Sequence, residues 1–63
     1  MPEYQQMYKT IQVLQSLSDL ERKILYFMYD SDKEEFFIIA EGQNLLLITI
    51  YRNLTVEIEI DEL

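Results

Sequence analysis

Four carboxylates crowd the last stretch of the chain, Glu57, Glu59, Asp61 and Glu62, with no base among them. Carboxylates in such a group can bind a cation, exchange protons with a substrate, or present negative charge to a basic partner. Along a strand, residues two apart point the same way and lie about 6.6–7 Å apart, close to the phosphate spacing of a nucleic-acid strand. The group therefore reads as a solvated edge and tail, or as a docking strip for a basic protein partner. A second acidic set, Asp30-x-Asp32-x-Glu34 with Glu41 at the twelfth position, has the outward spacing of a calcium loop. Glu35 stands where that loop needs a glycine for its sharp turn, and Phe36–Ala40 reads as a strand. A hairpin turn is expected there, with at most a weak surface cation site at Asp30 and Asp32.

The chain contains neither His nor Cys. That removes the common nucleophile–base pairs, the standard zinc sites and any disulfide. Ser16, Ser18 and Ser31 fall in expected caps or turns, where Ser has structural work. A single glycine cannot build a phosphate-cradling loop. The expectation is a protein that is not an enzyme and takes no cofactor or metal.

Twelve acidic against five basic residues give a net charge of −7, which disfavours direct contact with nucleic acid or with an anionic membrane. No apolar run approaches the roughly 20 residues that span a bilayer. The opening Met-Pro-Glu-Tyr-Gln-Gln carries no basic or apolar signal region. A cytoplasmic setting is expected.

At 63 residues the chain is one small domain, residues 1–63. Such a domain buries only about 60% of its unfolded surface. Without disulfides or metal, it depends on a dense apolar core, completed where necessary by oligomerisation. The 49% hydrophobic content, with five Tyr and three Phe, supports a folded chain over a disordered one.

Residues Glu3 to Leu17 read as a helix. Tyr4, Met7, Tyr8, Ile11, Leu14 and Leu17 recur at i, i+3, i+4 and i+7 and form one apolar stripe, and Pro2 suits the start. Ser18 with Glu21 matches a capping box and could open a second short helix. Ile24–Tyr29 is open to two readings, but its aromatics ahead of Asp30-Ser31-Asp32-Lys33 favour a strand followed by a turn. Glu35–Ala40 and Leu45–Tyr51 are strands, joined by a turn in which Gly42 is the natural site for positive φ. Arg52-Asn53 turns the chain again, with Asn53 able to go left-handed. The last strand, Leu54–Ile60, alternates: Leu54, Val56, Ile58 and Ile60 face the helix, and Thr55, Glu57 and Glu59 face solvent. The fold class is α+β, an N-terminal helix followed by an antiparallel β-meander of three to four strands.

The inner strands carry apolar residues on both faces, and one helix covers one face. Depending on register, either Leu45, Leu47 and Tyr51 or Leu46, Ile48 and Ile50 face away from the helix, together with Tyr26, Phe36 or Phe37. Such a patch exceeds what monomers usually expose, so a homodimer is expected to bury it. Tyr26, Phe36, Phe37, Leu45, Leu47 and Tyr51 are the interface candidates. The competing expectation is a second helix over Asp19–Met28 that covers the patch internally.

From Tyr29 to Val56 the chain resembles a small uncharacterised family of short cyanobacterial proteins. The resemblance rests on Asp30 after an apolar strand, on Phe37-Ile38-Ile39-Ala40, on Leu47-Ile48-Thr49-Ile50-Tyr51 and on Asn53. The chain departs from that pattern at Gly42, displaced from the position after Ala40, and at Leu54, where a glycine is usual. The resemblance implies a meander and a cytoplasmic setting and brings no activity. Two functions follow from the residues: an acidic, homodimeric protein–protein interaction module, or an antitoxin-like inhibitor whose carboxylates imitate nucleic-acid charge to block a basic partner.

Overall fold

A computed structural model describes residues 2–62, which form α1 (Pro2–Asp19), β1 (Lys23–Asp30), β2 (Glu35–Glu41), β3 (Asn44–Ile50) and β4 (Val56–Glu62). The four strands make one antiparallel sheet in the order β1-β2-β3-β4. The expected α+β class and meander are therefore present, with four strands. Ile24–Tyr29 lies within β1, and no second helix occurs among the described residues.

The Ser18–Glu21 spacing ends a helix instead of starting one. Glu21 N–H donates to the Ser18 carbonyl (2.9 Å) and Arg22 N–H to the Leu17 carbonyl (2.9 Å). Glu21 itself is left-handed, with φ of 58°. This is a Schellman stop, whose left-handed position glycine normally fills. Glu21→Gly is accordingly expected to raise stability by about 1 kcal/mol, read as a higher urea midpoint at unchanged slope. An unchanged or lower midpoint would show that the left-handed glutamate carries no strain.

The other turns also differ from expectation in which residue bends the backbone. Gly42 is not at positive φ. What it supplies is room: a Cβ there would meet the Arg22 guanidinium, which lies against it. In the last turn Leu54 takes the left-handed conformation (φ 73°), not Asn53. Asn53 Oδ1 instead accepts the Thr55 N–H at 3.0 Å. Leu54 is thus a turn residue, and β4 begins at Val56.

Register decides the faces. Opposed residues on antiparallel strands share a face. The rows Ile24–Ala40–Leu46–Ile60, Phe27–Ile38–Ile48–Ile58 and Tyr29–Phe36–Ile50–Val56 lie on one side. Their central members Ile38, Ala40, Leu46, Ile48 and Ile50 are buried with Leu17, so α1 lies on this side and over the middle of the sheet.

The helix is rotated from the expected orientation. Among its described side chains, those buried are Gln6, Thr10 and Leu17, with Val13 and Leu14 packed at the margin. Tyr4, Met7, Tyr8 and Ile11, expected in the core, are exposed. Hydrogen bonding explains why a glutamine can sit inside. Gln6 Nε2 donates to the Glu34 carbonyl (2.8 Å) and the Ile50 carbonyl (3.0 Å), tying α1 to the starts and ends of the inner strands. Thr10 Oγ1 donates to the Gln6 carbonyl (2.8 Å), so its hydroxyl is satisfied within the helix. Nor does α1 cover β4: Ile58 and Ile60 remain 56% and 61% exposed, and Ile58 lines an open groove of about 620 Å³.

Candidate interaction surfaces

The side of the sheet away from α1 consists of three full cross-strand rows. They are Lys23–Glu41–Leu45–Asp61, Tyr26–Ile39–Leu47–Glu59 and Met28–Phe37–Thr49–Glu57, with Asp30–Glu35 closing one end. No described element covers this face. Its centre is apolar: Tyr26, Met28, Phe37, Ile39, Leu45 and Leu47. Tyr26 meets Phe37 edge-on with ring centroids 6.5 Å apart. Its rim is acidic, with Asp30, Glu35, Glu41, Glu57, Glu59 and Asp61 set against Lys23.

The structure thereby sorts the sequence candidates. Tyr26, Phe37, Leu45 and Leu47 come together on this outer face. Tyr51 joins its end, its hydroxyl donating to Glu57 Oε2 at 3.2 Å. Phe36 does not join them; it lies on the helix side, 4.7 Å from the Tyr29 ring centroid and 5.8 Å from that of Phe27. Of the acidic strip, Glu57, Glu59 and Asp61 stand in line on the outer face, all exposed. Glu62 opposes Asn44 on the other face. Three carboxylates share the row where two were expected, because β4 runs on through Glu62.

The residues of the calcium-like spacing do not converge. Asp30 Oδ1 accepts the N–H groups of Asp32 (3.0 Å) and Lys33 (3.2 Å), which caps the hairpin turn. The Glu34 carboxylate pairs with Arg52 at 2.8 Å. Among the described residues, no three acidic side chains are placed to hold a metal ion. Nor is any helix long and apolar enough to cross a membrane.

Burial and the Glu57 carboxylate together hold the Tyr51 phenol above its ordinary pKa. The fold thus favours the protonated phenol. Its contribution is complete below the unfolded value of about 10 and is lost as pH rises through the higher folded value. Tyr51→Phe should therefore lose less stability than the parent as pH rises above about 10. Equal losses in both proteins, followed by urea titration, would remove Tyr51 from the alkaline response.

A second surface was not legible as one. All of Ile24–Tyr29 is at least 36% exposed, although β1 pairs with β2 along its length. On the helix side, Met7, Ile11 and Leu14 line shallow grooves with Phe27, Tyr29 and Phe36, and no charged residue enters them. The missed signal is that Gln6, Thr10, Val13 and Leu17 also recur at helical spacing, so α1 has two usable faces.

One helix laid on one face of a four-strand antiparallel meander, with the other face open, defines a two-layer α+β domain. The chain belongs to the family described as "Domain of unknown function (DUF6888)", whose model matches residues 1–62. The match extends well beyond the Tyr29–Val56 segment that carries the sequence resemblance. No curated protein and no solved structure matches the chain.

Proposed function

We propose that this chain is a non-catalytic, homodimeric protein–protein interaction module that offers the outer face of its sheet to a basic protein. The observation that carries the proposal is that uncovered face, apolar at its centre and acidic around its rim. Apolar centres with polar rims are the usual anatomy of protein interfaces. The rim also argues for the kind of partner. Two copies stacked through this face would bring acidic rims together, which costs affinity, whereas a basic rim would be steered in. Tyr26, Phe37, Leu45 and Leu47 therefore suit a different protein better than a second copy. The proposed setting is the cytoplasm, with no direct contact to nucleic acid or membrane.

The row Glu57, Glu59 and Asp61 also favours a second reading, in which the chain blocks a nucleic-acid-binding protein by imitating phosphates. The two readings divide over the apolar centre. Affinity capture with the parent protein, a Glu57→Lys/Glu59→Lys variant and a Leu47→Ser variant tests both. The interaction-module reading expects the retained basic protein to be lost from both variants. Loss from the charge variant alone supports charge mimicry. Capture unchanged by the charge reversal contradicts the acidic docking face altogether.

A further inference from the structure

We infer that the second copy joins along β1, so that two four-stranded sheets become one eight-stranded sheet with the two α1 helices meeting over the seam. The inference deepens the homodimer reading above and rests on it.

The two edges of the sheet are built differently. Edge strands normally carry charges, prolines or bulges that discourage pairing with another chain. β4 carries Glu57, Glu59, Asp61 and Glu62 along its length. β1 carries charge only at its ends, Lys23 and Asp30, around six consecutive apolar residues. Its single irregularity falls between Ile24 and Tyr26, which leaves Tyr26–Asp30 regular. The open backbone edge of β1 is thus available where that of β4 is guarded.

Charge fits a second copy here and nowhere else on the sheet. Antiparallel self-pairing centred on Phe27, with the bulged Leu25 of each strand skipped, sets Asp30 of one copy beside Lys23 of the other, so the end charges are complementary. The side chains between them are neutral, as are the grooves where α1 meets β1. A chain of charge −7 can approach its own copy through such a surface without opposing carboxylates.

The available area is sufficient. A two-fold axis perpendicular to the sheet puts both helices on the same side of it. The exposed stripe Tyr4, Met7, Tyr8 and Ile11 then faces its counterpart above Phe27 and Tyr29. These six side chains are 46–69% exposed. At ~200 Å² for a large side chain, they present roughly 600 Å² of apolar surface per copy. Buried in full, the two copies' share comes to about 1,200 Å², the lower bound for a specific, stable interface, and the strand backbones add to it. Pairing would also satisfy the free backbone groups of the β1 edge.

Because the chain has no Cys, single-cysteine variants test the geometry cleanly. Residues self-opposed across an antiparallel pair have Cα atoms about 4.5–5.5 Å apart, within disulfide range. Phe27→Cys is expected to oxidise to a covalent dimer with the parent circular dichroism spectrum, while Leu47→Cys on the outer face stays single. Phe27→Lys, at an exposed position, should keep the fold and weaken dimerisation at least tenfold by opposing two like charges. If the parent is dimeric but Leu47→Cys crosslinks and Phe27→Cys does not, or Phe27→Lys dimerises normally, the β1 seam is overturned and the homodimer reading stands. If the parent is monomeric at every concentration, both fall.

Discussion

Replacing Gln6 by leucine is expected to cost about 2–4 kcal/mol, because the buried Ile50 carbonyl and the part-buried Glu34 carbonyl both lose their donor, and an unsatisfied buried polar group costs roughly 1–3 kcal/mol, less where water reaches it. Gln6 is 2% exposed, and both hydrogens of its amide are used, one on the Glu34 carbonyl and one on the Ile50 carbonyl. Leucine has similar volume and greater hydrophobicity, so a packing account predicts no loss or a gain. The hydrogen-bond account predicts a fall that could unfold a domain whose whole stability is of the order of 5 kcal/mol. Gln6→Glu sharpens the point. At neutral pH a carboxylate would face two carbonyls, a pairing of acceptors. Its folded pKa must therefore rise, and the variant should regain stability as pH falls. Urea unfolding of the two variants, with Gln6→Glu followed down to about pH 4, is the check. A leucine variant as stable as the parent would show that α1 is not held by Gln6.

The second large effect is a contrast between two isoleucines that oppose each other on the same face. Ile48→Ala is expected to cost about 3–4 kcal/mol, and Ile58→Ala less than about 0.5 kcal/mol in the monomer. Ile48 is 1% exposed beneath α1, whereas Ile58 is 56% exposed on β4. The transfer and cavity terms apply only where the side chain is enclosed. Comparable losses at the two positions would mean that α1, or a partner, also covers β4. The measurement is the urea midpoint of each variant at a concentration low enough to keep the chain monomeric.

The meander was legible because its punctuation is strong. Gly42, Asn53 and the Asp30–Lys33 cluster separate runs of Ile, Leu, Phe and Tyr that have little use outside a sheet. The roles inside the turns were less so. Glycine and asparagine are usually read through φ, yet here Gly42 makes room for Arg22 and Asn53 supplies an acceptor. The left-handed positions went to Glu21, Glu34 and Leu54. Tertiary context overrode local preference at each.

The helix was the larger departure. The strongest apolar stripe in the sequence, Tyr4, Met7, Tyr8 and Ile11, faces out, and a glutamine and a threonine face in. Hydropathy alone favours the first arrangement. Two long-range hydrogen bonds from Gln6 favour the second, and no sequence pattern announces a bond across 28 or 44 residues. The acidic row was visible in part as geometry: the alternation of the last strand put Glu57 and Glu59 on one face, and only the register and length of β4 add Asp61 to that face while leaving Glu62 off it. The same register separates Phe36 from Phe37. A one-residue shift would have exchanged them.

The open outer face and the uncovered β1–α1 surface support one proposal, that this chain acts by contact and does so as a pair. Sedimentation equilibrium from low to high micromolar concentration tests it most directly. The expected result is a single species at twice the chain mass of 7.6 kDa, dissociating only on dilution. A mass of one chain across the whole range would contradict it.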